Sequence, residues 1–579
     1  MTPRAPLAVA ILMIGLSAAG TGPLAAMAAA AEAAWEEPPP PATPPPAPPA
    51  PRVRRHRPAV APTAPTPPTP PAVPAPPAVP VPPVTPAPPA PPAPPAPPRG
   101  LRGLLRGPSS YKEVRTALPA KGRAVSLTAS SGDVLVRRGA SDQVSALATV
   151  EYWSSDPAWM EAVQREFRLE TVETDREIRL RPVLPEEPRR VSGSLHISYS
   201  VQIELEVPAG TPLAIVNSYG DVRVDQIGGP LRVQNTSGGI FASGASGAVE
   251  LASSYGDIEA NGIQGPLRLR TTSGGVVARG VRGDATLETS YGDVRVEEVT
   301  GALSAKAGSG NLSAVNIGGK AEVDSQYGNV TLERIGGAGR ISSSSGTVSA
   351  LHVEGPLVVQ SSYGDVKAED IGPHLRVASS SGNVVVNRVK GPVEIETSYG
   401  DVSIESVSGP VQAASTSGGV TLHRIGGAAT VRASYGAVRA SAIAGPLKVS
   451  GSSSEVAAED VAGSVDVETT YGGVSLRRVS GAVTLRLQSG SATVNELRGA
   501  ALRASHRIST TYGDIDFGWP RASALGFHLE STDSSVRSDF PGQPQEVGSR
   551  RILEGTAGAA GGAQVSLTAQ SGGVRLRAE

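Results

Sequence analysis

The chain has 579 residues, with 52 basic against 53 acidic side chains, a formal net charge of −1, no cysteine, and only 4% aromatic residues. A near-neutral balance leaves no electrostatic footprint for nucleic acid, and the lack of cysteine excludes disulfide frameworks, thiolate nucleophiles and Cys-ligated zinc. With five Phe and four Trp, any core must be built from Val, Ile, Leu and Ala.

Residues 1–31 read as an export signal peptide. Arg4 gives a positive start, Leu7 to Ala19 an apolar stretch, and Ala26-Met27-Ala28 or Ala29-Ala30-Ala31 a small-residue cleavage site. An uncleaved membrane anchor is the alternative, because apolar character continues to Ala31; Gly20, Gly22 and Pro23 interrupt it and favour cleavage. Residues 32–108 read as a disordered proline-rich linker, since 32 of the 53 prolines fall between Pro38 and Pro98. Proline fixes φ and lacks a donor, so this stretch favours polyproline II and acts as a stiff spacer, roughly 190 Å long at about 3.1 Å per residue. The cluster Arg52-Val53-Arg54-Arg55-His56-Arg57 supplies solubilising charge or a contact to anionic envelope polymers.

Residues 109–210 form an N-terminal β-rich cap, with alternating stretches at Ala124 to Ala129, Asp133 to Arg138, Glu177 to Arg181 and Ser194 to Val207. One helix interrupts them. Asp156 is its N-cap and Pro157 its first residue, and Trp159, Met160, Val163 and Phe167 make one apolar face that belongs to a core.

From Thr211 to Arg498 an internal repeat takes over. Tyr-Gly recurs every 36 residues at Tyr219, Tyr255, Tyr291, Tyr327, Tyr363, Tyr399, Tyr435 and Tyr471, and Ser-Gly sits midway, with Ser453-Ser454 the one variant. The structural unit is therefore 18 residues, and sixteen such rungs follow one another. In the rung Gly391 to Ser408, Val393 and Ile395 form one period-two pair and Val402 and Ile404 another, which predicts two short strands; Val407, at the seventeenth place, is a third inward point. Glycine at the first and tenth places marks corners that need φ above zero or leave no room for Cβ.

One rung cannot offset the entropy of ordering its own 18 residues, so rungs must stack into parallel ladders about 4.8 Å apart. The predicted fold is all-β: a single-stranded parallel β-helix, a β-solenoid of about sixteen rungs. A left-handed hexapeptide coil would need an apolar eleventh place, where this chain has Asp221, Gly239, Asp257 or Asp401; the right-handed form is favoured. Residues 499–579 slip in register and supply C-terminal rungs and a cap over an otherwise exposed strand edge.

The runs Ser218-Tyr219-Gly220-Asp221 with Val222-Arg223-Val224, the lead-in Val207 to Pro212, the early Ser131-Gly132-Asp133-Val134 and the terminal Ser571-Gly572-Gly573-Val574 resemble the bacterial putative-adhesin β-helix family. That resemblance, spanning about Arg123 to Glu579, implies an exported envelope protein and brings no catalytic residues with it.

The expected function is an exported, non-enzymatic, adhesin-like or structural solenoid of the cell envelope, with a surface polysaccharide or protein as partner, no nucleic acid and no small-molecule cofactor. A membrane-anchored scaffold or signalling partner and a carbohydrate-active enzyme are the alternatives. Rungs of constant length leave no cleft-forming loop, and the seven His are scattered without metal-ligand spacing. The Asp row at the eleventh place, Asp221, Asp257, Asp293, Asp365 and Asp401, is too widely spaced to share a calcium ion and reads as a set of turn acceptors. The Ser/Thr row beside it, such as Ser218 and Thr236, flanks turns rather than binding ice. The eight tyrosines are the candidate ligand platform. Facing outward they would carry a sugar or peptide; facing inward they would plug a corner of the core, and the core role is the simpler expectation.

Overall fold

The computed structural model describes residues 109–187, 196–558 and 562–579. The signal peptide, the linker and the Arg52 to Arg57 cluster lie outside the described residues. What is described is a parallel β-solenoid, and its register follows the repeat residue by residue.

In the rung Gly391 to Ser408 the two strands are Val393–Tyr399 and Val402–Val407. Val393 pairs with Leu375 before it and Val411 after it, and Val402 with Val384 and Val420, so every residue lies over its equivalent 18 positions away. Two long parallel sheets result, one from the third to ninth places and one from the twelfth to seventeenth. Val393, Ile395, Val402, Ile404 and Val407 are all at most 3% exposed. Each such aliphatic contributes about 2 kcal/mol by burial, and no rung could collect that without its neighbours.

Two features of the coil are not written in the aliphatic pattern. The seventh place also points inward, yet in most rungs it holds a buried polar residue such as Asn217, Asn235, Ser253, Thr271 or Thr289, with Ala307, Ala433, Gly451 and Leu487 the exceptions. The sixteenth place is left-handed in every one of the sixteen rungs, and thirteen of those residues, from Gln226 to Glu496, are not glycine, with φ between 54° and 60°. That conformation costs an L-residue about 1 kcal/mol or more. It throws the fifteenth and sixteenth side chains outward together, so the seventeenth can turn back into the core.

The glycine corners divide into two kinds. At the tenth place Gly292 has φ +142°, and a Cβ there would come 2.1 Å from the Gly274 carbonyl oxygen. At the first place Gly427 has an ordinary backbone, but a Cβ would meet Pro410 N at 2.6 Å. Both reasons anticipated for the glycines therefore hold at the tenth place, and lack of room alone holds at Gly427.

The N-terminal unit contains β1 (Ser110–Pro119), β2 (Ala124–Ala129), β3 (Val134–Arg138), β4 (Gln143–Ser154), α1 (Pro157–Glu166), β5 (Arg168–Glu173), β6 (Glu177–Val183) and β7 (Ile197–Val207). The pair β2 and β3 is itself a rung. Val125 lies on Leu213 and Val134 on Val222, bypassing everything between. The bypassed chain closes the end: β4 runs antiparallel between β1 and β7, β6 stacks parallel on β2, and β5 is antiparallel to β6. Helix α1 begins as anticipated, with Asp156 accepting the Ala158 N–H at 3.0 Å. Its Trp159 and Val163 are buried, Trp159 lying 6.3 Å from the Tyr152 ring.

At the other end the chain order is broken again. The last strands, Ala563–Ser571 and Val574–Ala578, insert as a rung between Ser505–Tyr512 with Ile515–Trp519 and Leu525–Ser531 with Val536–Ser538. An antiparallel hairpin of Gln543–Val547 and Arg550–Ala557 then covers the first sheet. Among the described residues no helix is long and apolar enough to cross a membrane.

Candidate functional site

The most regular surface of the coil is the corner at the tenth place. Tenth-place glycines have φ between 111° and 154°. In several rungs the seventh side chain meets these carbonyls from inside: Asn235 Nδ2 donates to Gly220 O at 2.8 Å and Gly238 O at 3.1 Å, Thr271 Oγ1 to Gly256 O at 3.2 Å, and Thr289 Oγ1 to Gly274 O at 3.2 Å, whereas the buried hydroxyls of Ser325, Ser343, Ser361 and Ser379 have no partner among the described residues. The eleventh-place N–H is left over, and the Asp or Asn one rung earlier takes it. Asp221 Oδ1 accepts from Gly239 N at 2.9 Å, Asp257 Oδ1 from Gly275 N at 2.7 Å, Asp293 Oδ1 from Asn311 N at 2.7 Å, and Asp401 Oδ1 from Gly419 N at 2.7 Å. The Asp row is thus a set of backbone acceptors, reaching the next rung instead of its own turn.

This filled corner decides where the tyrosines go. Its interior holds the seventh-place polar groups and stacked glycine backbone, with no space for a ring. The strand alternation that buries the third, fifth and seventh places ends there, and the eighth and ninth both face solvent. Tyr219, Tyr255, Tyr291, Tyr327, Tyr363, Tyr399, Tyr435 and Tyr471 are 58–65% exposed, so the expectation that they plug the core is overturned. All eight stand in one row.

The row is longer than the sequence repeat. Tyr512, 41 residues after Tyr471, pairs with Ser489 on one side and Ser571 on the other and is 56% exposed. The five extra residues are set aside in a 3-10 turn, Gly499–Arg503. At the opposite end Gly132 N–H donates to Tyr219 O at 2.7 Å, which puts Ser131 in the next place. Tyrosine therefore alternates with serine across both breaks in chain order. From Thr211 to Arg498 the eighth and ninth places carry no charged residue, the eighth being mostly Ser or Thr. The unbroken spacing of the ridge was legible in sequence only up to Tyr471.

Two concave features compete with this ridge. A groove of about 1150 Å³ runs along the sixteenth and eighteenth places from Glu298 to Ser408. Its central charges are paired: Arg388 bonds Asp370 and the neighbouring Glu369, His352 Nε2 lies 3.1 Å from Asp370 Oδ2, and Lys367 Nζ is 3.1 Å from Glu369 Oε2. Hydrogen bonds from Arg388 hold both carboxyls below their usual range. A cavity of about 1070 Å³ under the C-terminal hairpin holds His528, whose Nδ1 is 2.7 Å from Glu554 Oε1, beside Phe527, Gln543 and Gln564. His506 forms part of its wall; it is 1% exposed, its Nε2 donates to Ala501 O at 2.8 Å, and burial pushes its pKa down. Of the remaining sequence candidates, His352, His423 and His528 lie apart, and among the described residues no three His, Asp or Glu converge as a metal site.

A family sequence profile described as Toastrack DUF4097 matches residues 123–352, 339–443 and 411–577. The chain belongs to the Toastrack DUF4097 family. The first match begins at Arg123, one residue before β2, and the last ends at Arg577 in the final strand, so the matched spans take in the out-of-order rungs. No curated protein is detectably similar to the chain. Among solved structures, one described as a putative cell adhesion protein from Clostridium sporogenes is 9% identical, covering 81% of this chain and all of that one, with a TM-score of 0.15. One described as a putative adhesin from Parabacteroides merdae is 11% identical, covering 64% of this chain and 96% of that one, with a TM-score of 0.14.

Proposed function

We propose that this Toastrack protein is an exported, non-enzymatic, adhesin-like shaft of the bacterial cell envelope, binding an envelope or surface polymer through many weak, equal contacts. The observation that carries the reading is the row of nine outward tyrosines, evenly spaced on a rigid coil. Exposed aromatics in register make poor packing and good contact surface, because each ring presents a face and an edge at little entropic cost. Linked weak sites gain by effective concentration, so a ladder of them holds a polymer that no single ring retains. Support for a passive role comes from the constant rung length between Thr211 and Arg498, which projects no loop over either sheet.

The test is attachment of beads coated with the full chain to bacterial envelope preparations. Replacing Tyr291, Tyr327 and Tyr363 together by Ala reduces attachment by about tenfold while leaving the melting temperature unchanged, since the rings contact little of the core. Undiminished attachment by the triple variant overturns the reading.

A further inference from the structure

We propose that the tyrosine ridge takes a neutral, extended, β-linked polysaccharide lying along the coil axis, one ring under each disaccharide unit. This rests on the reading of the ridge as the adhesive surface and names its ligand class. The first argument is length. Tyrosines two rungs apart are separated by about 9.6 Å, beyond the range at which rings stack on each other, so no ring of the row covers its neighbour. An extended β-linked chain advances by a comparable distance per disaccharide, and its sugars present flat C–H faces in a straight line. An α-linked chain curls away from a straight track after a few units.

The second argument is chemistry. Beside Tyr255, Tyr291, Tyr363 and Tyr399 stand Asp257, Asp293, Asp365 and Asp401, each exposed. Asp257, Asp293, Asp365 and Asp401 each commit Oδ1 to the backbone N–H of the next rung, at 2.7 to 2.8 Å. Among the described residues nothing donates to their Oδ2 atoms, which belong to exposed side chains two residues from a ring. Sugar hydroxyls satisfy them, and the Ser and Thr of the eighth place add donors. The same carboxylates disfavour an anionic polymer along the row, whose eighth and ninth places hold no cation; Arg295 and Lys367, two residues past Asp293 and Asp365, are engaged by Glu297 and Glu369. Polar acceptors beside an aromatic face, at one repeat, fit a polyhydroxyl chain better than a peptide, whose side chains do not recur at this interval.

The experiment measures retention of the full chain on insoluble β-1,4-glucan, with amylose, a polyuronate and free glucose as comparisons. Retention on the β-linked glucan, strengthening with oligosaccharide length, is expected, with at least tenfold weaker binding to the other three. Tyr291, Tyr327 and Tyr363 changed to Ala lose it, whereas Tyr→Phe at the same places keeps it within about threefold, because the ring face makes the contact. Equal binding to amylose or to the polyuronate overturns the proposal, as does retention by the Ala variant. If envelope attachment depends on the rings but no neutral β-glucan binds, this ligand class falls and the adhesive reading stands; if neither depends on them, both fall.

Discussion

Ala442 shows what the repeat demands of a single residue. It sits at the sixteenth place with φ 55° and its side chain is exposed, so it carries the strain of the left-handed bend without packing in return. Ala442→Gly relieves that strain, and even after the added freedom of the unfolded glycine it stabilises the coil by about 0.5–1 kcal/mol in urea denaturation. A loss of stability would mean that the bend is imposed by something other than backbone sterics. The bend itself was hidden in the sequence because Gln226, Arg334, Asp370 and Arg478 share no side-chain chemistry. A column defined by φ alone leaves no compositional mark. The seventh place was legible in principle, since Asn, Ser and Thr alternate in step with the aliphatics at the third and fifth, but polar residues do not announce that they face inward.

At the scale of the rung, the variant Ser453-Ser454 turns out to be an exchange. Everywhere else the seventh place holds the side chain and the tenth is bare; here Gly451 is bare and Ser454, 0% exposed, fills the corner from the other side. Its Oγ donates to Ala433 O at 2.9 Å. A Cβ on Gly451 would lie 3.2 Å from Ser454 Cβ and 2.7 Å from Ala433 O. Gly451→Ser alone therefore overfills the corner and costs about 1–3 kcal/mol, and Ser454→Gly alone empties it at a cost of about 1–2 kcal/mol. The double variant restores the arrangement of the other rungs, and a coupling energy of at least about 1 kcal/mol in a denaturation cycle is the expected result. Strictly additive effects would show that the two places do not share one space. The existence of two strands per rung and their inward aliphatics could be read directly, because period two over three or four residues between glycines admits no other element.

Over the whole coil, both ends are finished by chain that leaves sequence order. Three of the four sheet edges end on antiparallel strands, β1 and β5 at one end and Gln543–Val547 at the other, and the fourth ends on the three-residue parallel strand Val536–Ser538, which leaves little parallel edge to template another copy. Deleting residues 563–579 removes the partner of Ser505–Tyr512 on one side and of Leu525–Ser531 on the other. Light scattering after gel filtration should then find large assemblies in place of a monomer; a monomer with an unchanged melting transition would show the terminal rung to be dispensable. The ends were the least legible part of the molecule. Their strands at Ala124, Gly526 and Ala563 could be recognised by alternation, but pairing across long excursions has no local signal, and the hairpin on Leu525–Ser531 was missed altogether.

That interleaved final rung also sets a direction on biosynthesis. The strand Leu525–Ser531 emerges before the segment it must lie against, so until the last residues are made it has only its hairpin partner Arg550–Ala557 and a vacancy on its inner side. Interrupted translation would leave every earlier turn wound and the terminus unlatched, and quality control would need to inspect only one end to tell a finished molecule from a fragment.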